Sequence, residues 1–169
     1  MKTHRGFTLI ELMITLAVAA ILLTIGIPSF SDFVKNNRLV GYVNEFVAAA
    51  HLARSEAIKR RRYGYICASS NQSSCTGGTN WAVGWITWID DNGDGTPQSS
   101  ELLRVRQALD ATVSYTSDGA SSFRFDPMGI SPTTGTLTMC DDRTGEQGRT
   151  IGVSNSGRVA INPTPFACS

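Results

Sequence analysis

The stretch Gly6-Phe7-Thr8-Leu9-Ile10-Glu11-Leu12-Met13-Ile14-Thr15-Leu16-Ala17-Val18-Ala19-Ala20-Ile21-Leu22-Leu23-Thr24-Ile25-Gly26-Ile27 dictates how the rest of the chain is arranged. Between Phe7 and Phe30, 17 of 24 residues are apolar and Glu11 is the single charged one. Counted from Phe7, the run reaches the roughly 20 residues that a membrane-spanning helix needs. A secretory signal has an apolar core of roughly 7–15 residues and then a small-residue cleavage site. The run from Leu12 to Ile27 is longer and no such site follows it. Lys2 and Arg5 precede the run, which places that end in the cytoplasm. On hydropathy alone the segment is an uncleaved N-terminal anchor.

Glu11 complicates that reading. A carboxylate inside a spanning helix costs roughly 2.5–3.5 kcal/mol on insertion scales, so it is a functional candidate by default. Gly6-Phe7-Thr8-Leu9-Ile10-Glu11, with a basic leader before it and an apolar run after it, resembles the class III signal of type IV prepilins and pseudopilins. The resemblance implies cleavage between Gly6 and Phe7 by a prepilin peptidase, and N-methylation of Phe7. It also implies that Glu11 pairs with the terminal amine of a neighbouring subunit during filament assembly. Electrostatics agree, because a buried carboxylate is tolerated once a cation meets it. Pro28 stands where pilins commonly carry a helix-distorting proline, and its ring removes one backbone donor.

From Ser31 to Arg62 no further proline occurs and helix formers dominate. Leu39, Val43, Phe46, Val47, Ala50, Ala53 and Ala57 recur at three- and four-residue spacing and form one apolar stripe, with Arg38, Glu45, Ser55 and Glu56 off it. A helix from Phe7 to Arg62 would be about 84 Å long at 1.5 Å per residue. Lys59-Arg60-Arg61-Arg62 closes it, either as solvated charge favourable to the helix C-terminal dipole or as a phosphate-binding patch. Leu52-Ala53-Arg54-Ser55-Glu56-Ala57-Ile58-Lys59-Arg60 also resembles the A-R-S-E-A-I segment of the GspH/FimT group of minor pilins.

Beyond Arg62 the pattern changes to short β-rich runs separated by turn residues. Candidate strands are 63–68, 82–89, 102–108, 112–115, 122–126, 136–140, 150–153 and 158–161, punctuated by Gly77-Gly78, Asp118-Gly119, Met128-Gly129 and Ser156-Gly157. Trp85 is predicted to face one side of its strand and Trp88 the other. Cys67, Cys75, Cys140 and Cys168 match no zinc spacing, and in an oxidising periplasm they read as two disulfides. Three pairings are possible, of which Cys67–Cys75 with Cys140–Cys168 is the local choice.

Asp90-Asp91-Asn92-Gly93-Asp94-Gly95-Thr96-Pro97-Gln98-Ser99-Ser100-Glu101 satisfies the twelve-residue calcium-loop pattern. Asp90, Asn92, Asp94 and Glu101 occupy ligand positions, Thr96 offers its carbonyl and Gly95 makes the turn. The run before it, Trp85-Ile86-Thr87-Trp88-Ile89, reads as a strand, whereas an EF-hand needs a helix. Gly84–Asp90 with Asn92-Gly93 also resembles a hairpin of the GspH/FimT group, in which a polar tip suffices. The loop is therefore either a calcium site or a plain acidic hairpin.

The expected fold is α+β and pilin-like: a long N-terminal helix, transmembrane in one half and amphipathic in the other, packed on an antiparallel β-sheet head. Its organisation is a cleaved leader (1–6), a transmembrane and assembly helix (7–30), an amphipathic helix (31–62) and a periplasmic β-rich head (63–169). The resemblance implies a minor type IV pilin that helps initiate the filament and sits near its tip. It would be held in the inner membrane before assembly, and its partners would be other pilins and the prepilin peptidase/methyltransferase. A type II secretion pseudopilin H is the neighbouring alternative. An enzyme is the weakest class. Only His4 and His51 exist, and no Ser-His-Asp set, phosphate loop or C-x-x-C motif occurs. No cofactor is expected beyond calcium in the loop.

DNA capture is a third reading, since some relatives bind DNA through a C-terminal G-R-x-R motif. Gly157-Arg158-Val159-Ala160 keeps the first arginine and lacks the second, leaving Arg158 with Arg60, Arg61 and Arg62 as candidate contacts. The charge distribution opposes it. The chain as a whole has 15 basic and 14 acidic groups and a net charge of +1, but residues 63–169 carry six basic against ten acidic groups. Without residues 1–6 the side chains sum to +3 for 7–62 and −4 for the head.

Overall fold

A computed structural model describes residues 6–168, so Met1–Arg5 of the expected leader lie outside the described residues. The order of elements is one helix, α1 (Leu9–Arg60), followed by eight strands. The strands are β1 (Tyr63–Ala68), β2 (Trp85–Asp90), β3 (Leu102–Arg106), β4 (Ser114–Ser117), β5 (Ser122–Phe125), β6 (Gly135–Cys140), β7 (Gly145–Val153) and β8 (Val159–Cys168). The chain forms two compact units, one up to Asn37 and one from Arg38 onward.

In the first unit, α1 opens with a reciprocal cap. The Glu11 backbone N–H donates to Thr8 Oγ1 at 3.3 Å, and Glu11 Oε2 accepts the Thr8 N–H and hydroxyl at 3.4 Å. This is the Thr-x-x-Glu capping box, which satisfies orphan donors at a helix start. Thr15 and Thr24 donate their hydroxyls to the Leu12 and Ile21 carbonyls at 2.8 and 2.7 Å, so these polar groups need no outside partner. Leu9, Ile10, Met13, Ile14, Leu16, Ile21, Leu22, Ile27, Phe30 and Phe33 all stand exposed. The helix is long and apolar enough to cross a membrane.

The second unit is built on the other end of α1. Leu39, Val43, Phe46, Ala50, Ala53 and Ala57 of the expected stripe are buried, joined by Ala49, while Val47 is half-buried. Two antiparallel four-stranded sheets, β3-β2-β1-β5 and β4-β6-β7-β8, share one core with this stripe. Phe46 is its hub. Trp81, Tyr115, Trp85 and Phe123 surround it edge-on, with ring centroids at 5.4, 5.6, 5.7 and 6.4 Å. The alanines let β1 approach closely: a Cβ on Gly64 would collide with the Ala53 carbonyl oxygen and lie 3.0 Å from Ile89 Cδ1. Trp85 and Trp88 face opposite sides of β2, Trp88 stacking on Tyr65 at 4.3 Å in a second small cluster.

The helix ends without glycine. Arg61 takes φ +56° and the Arg62 N–H reaches back to the Ala57 carbonyl at 3.1 Å, the geometry of a Schellman cap. Charged residues off the stripe pin the helix to the head. Arg38 pairs with Asp110 at 2.8 Å and donates to Thr112 Oγ1 at 2.9 Å, and Glu45 takes Arg106 at 2.9 Å.

All eight sequence-expected strands occur, β1 with the expected ends and the other seven with shifted ones. β7 begins five residues earlier than its apolar run and β8 runs seven residues past Ile161, through Pro163 and Pro165. Prolines are tolerated there because β8 is an edge strand. Its extension lets Gly148 pair with Phe166 and Gly145 with Cys168. Disulfides join Cys67 to Cys75 and Cys140 to Cys168. The second crosses Gly148, whose missing side chain makes room: a Cβ there would sit 2.8 Å from Cys168 Sγ and 3.1 Å from Cys140 Sγ.

Candidate assembly site

The residues singled out at the N-terminus lie at one helix start. Phe7 is 84% exposed, Gly6 precedes it in an unstructured segment, and Glu11 lies one helical turn after Phe7. Among the described residues the Glu11 carboxylate bonds only to Thr8, at long distance, so it remains available to a stronger donor. Thr8 was not among the sequence-derived site residues. The signal for it was present in the Thr8-x-x-Glu11 spacing, which reads as a capping box. This helix start offers an uncovered apolar surface and a carboxylate at its edge. Such a surface is suited to bury itself against lipid or against other helices of its own kind.

The basic run is partly spent inside the protein. Arg60 donates to Glu56 Oε2 at 2.8 Å and to Asp91 Oδ2 at 3.1 Å, and Lys59 lies 3.3 Å from Glu56 Oε1. The hydrogen bonds from Arg60 and Lys59 hold the Glu56 carboxyl below its usual range. Arg61 and Arg62 are exposed. Arg158 is exposed just before β8, in a cleft of about 530 Å³ that it shares with Asp118, Thr136, Gly152 and Ala160. Asp118 thus lines the same cleft as Arg158, and the Arg60 guanidinium is engaged by two carboxylates.

Sequence reasoning missed Arg54. Its guanidinium holds the Gly129 carbonyl at 2.8 Å and the Ser156 carbonyl at 3.1 Å, tying two turns to the helix. Gly129 and Gly157 in those turns have φ of +79° and +71°. A Cβ on Gly157 would strike the Gly129 carbonyl oxygen and lie 2.9 Å from Arg54 Nε. The sequence marked both glycines as turn residues, but nothing local linked them to an arginine 75 residues from Gly129 and 102 from Ser156 in the chain.

The acidic loop lies between β2 and β3. Asp90 and Glu101 are buried, while Asn92, Asp94 and Thr96 are exposed. Among the described residues no three His, Cys, Asp or Glu side chains converge as a metal site.

The family described as "Type II transport protein GspH" matches residues 42–157, and the "Prokaryotic N-terminal methylation motif" matches residues 1–27. The chain belongs to the GspH family. A "Fimbrial protein" of Pseudomonas aeruginosa is 30% identical over 122 residues, which cover 71% of this chain and 75% of that protein. The "Type IV major alpha-pilin" of Moraxella bovis is 25% identical over 142 residues, covering 75% and 88% respectively. The crystal structure of the type IV minor pilin FimU of Pseudomonas aeruginosa superposes with a TM-score of 0.62 at 24% identity, over 81% of this chain and 99% of that one. That likeness concerns the fold: a long N-terminal helix packed on antiparallel sheets. This GspH-family chain is thus a pilin-like protein related to fimbrial proteins, with an N-terminal helix long and apolar enough to cross a membrane.

Proposed function

We propose that the protein is a minor type IV pilin that helps initiate pilus assembly and sits in or near the filament tip. It is cut between Gly6 and Phe7 and N-methylated on Phe7 by the prepilin peptidase, and it waits in the inner membrane with its head in the periplasm. The observation that carries the reading is the exposed apolar face of α1 with Glu11 one turn from Phe7. Cleavage would create an amine at Phe7. A second subunit's amine brought to Glu11 in an apolar bundle would neutralise a carboxylate that is otherwise costly to bury. The head supplies a disulfide-stapled surface for the neighbouring subunit.

The name of the matching family favours a second reading, a type II secretion pseudopilin H acting in protein export. DNA capture has less support, because Arg60 is tied to Glu56 and Asp91 and Arg158 shares its cleft with Asp118. Deleting the gene and complementing it with wild type or Glu11→Leu separates these readings. The proposal expects surface pili to disappear and to return with wild type only, although Phe7 of the variant is still cut and methylated. Intact pili with a failure to export secreted proteins would establish the pseudopilin reading instead. Intact pili and intact export would refute both.

A further inference from the structure

Filament assembly through α1 leaves the loop 90–101 without a role, and its construction is unusual for a hairpin tip. Asp90, at the end of β2, is 4% exposed, and its two carboxylate oxygens accept the N–H groups of Gly93 at 2.7 Å and Gly95 at 3.2 Å. Asn92 Oδ1 accepts the Asp94 N–H at 2.9 Å, and Asp94 Oδ1 accepts the Thr96 N–H at 2.8 Å. Glu101, from the far end of the loop, is also 4% exposed. Its Oε1 reaches back to the N–H groups of Asp91 at 3.0 Å and Asn92 at 3.3 Å, which lays the carboxylate against the opening turn. Glu101 Oε2 is buried there with no hydrogen-bond partner. A buried carboxylate oxygen without a donor loses its hydration and gains nothing in return.

The charge around it sharpens the point. Among the described ion pairs, the one basic side chain that reaches this loop is Arg60, and it goes to Asp91, which occupies a non-ligand position of the twelve-residue pattern. Asp90, Asp94 and Glu101, all at ligand positions, have no described salt bridge. Asp94 is exposed, and its carboxylate accepts hydrogen bonds from Thr96, Asn92 and Gln98. Asp90 and Glu101 already bind N–H groups of the same turn, and the exposed side chains of Asn92 and Asp94 would turn inward to join them.

We propose that Asp90, Asn92, Asp94, the Thr96 carbonyl and Glu101 bind one calcium ion, with Glu101 Oε2 among its ligands. The donors are all oxygen, which excludes a preference for zinc or copper. A loop with a carboxylate capable of bidentate contact suits the six to eight ligands of calcium better than the strict octahedron of magnesium. Here the loop follows a strand instead of a helix, so the cation would brace the β2–β3 hairpin. This inference is independent of which filament the protein joins.

The test uses the full chain in detergent micelles, with unfolding followed by tryptophan fluorescence. All three tryptophans, at positions 81, 85 and 88, lie in the head. Calcium at about 5 mM is expected to raise Tm by about 5 °C or more over an EGTA control, as a site with a dissociation constant near 0.1 mM would. Magnesium at the same concentration is expected to do much less, and Tb³⁺ luminescence should appear and be displaced by calcium. Asp94→Ala, at an exposed position, should unfold in EGTA like wild type yet lose the calcium shift, and Glu101→Gln should lose it too. No shift and no terbium signal in wild type would overturn the proposal. So would a shift that survives in both variants, or one that magnesium reproduces in full.

Discussion

Replacing Phe46 with alanine tests the central packing claim, that one helix ring organises the head. Phe46 is fully buried, and four aromatic rings meet it edge-on at 5.4–6.4 Å. Truncating a buried phenylalanine costs about 3–5 kcal/mol. Edge-to-face pairs contribute about 0.5–1.5 kcal/mol each beyond area, so four lost contacts place this site in the upper part of that range. Phe46→Leu keeps most of the volume and is expected to cost about 2 kcal/mol, mainly from the lost ring pairs. Tryptophan fluorescence is the natural readout, because Trp81 and Trp85 both touch the substituted ring. For the unit from Arg38 onward, the alanine variant should unfold more than about 10 °C below wild type and the leucine variant about half as far. If alanine costs less than about 1.5 kcal/mol, or no more than leucine, the ring is not the hub described here.

Gly64→Ala should destabilise the head by about 1–3 kcal/mol, since the added methyl meets the Ala53 backbone carbonyl instead of a flexible side chain; urea unfolding of the full chain in detergent checks it, and an unchanged midpoint would contradict the close approach. Asp110 provides a pH test. The Thr112 hydroxyl and N–H, at 2.6 and 2.9 Å, and then the Arg38 guanidinium, hold its carboxyl below the usual range. A depressed folded pKa stabilises fully above the unfolded value of about 3.9 and is lost as pH falls through the folded value. The Tm difference between wild type and Asp110→Asn should therefore be constant from neutral pH to about 4 and shrink below it. A difference that persists unchanged into stronger acid would mean that the carboxylate charge plays no part.

Much of the fold was legible because it rests on periodicity. The apolar run after Gly6 and the stripe from Leu39 to Ala57 are local patterns, and a helix buries or exposes residues according to its 3.6-residue repeat. The eight strands were legible for the same reason, with errors where glycine and proline masked the pattern. Gly145 and Gly148 hid the start of β7, and Pro163 and Pro165 hid the end of β8. The candidate assembly residues Gly6, Phe7 and Glu11 could be proposed from sequence because the motif that suggests them is contiguous in the chain.

Sequence by itself determined where the long helix runs, which of its residues face a core, and that a carboxylate opens an otherwise apolar segment. Those features depend on neighbours within a few positions. Tertiary structure decided the remainder, because each feature depends on residues far apart in the chain. Arg54 gathers Gly129 and Ser156, Gly64 admits the Ala53 carbonyl, and Gly148 leaves room for the bridge between Cys140 and Cys168. Arg60 is removed from the basic run by Asp91, and Glu101 is buried against the turn that Asp90 begins. Charge and burial are properties of the surroundings, and those surroundings exist only once the sheets close around the helix.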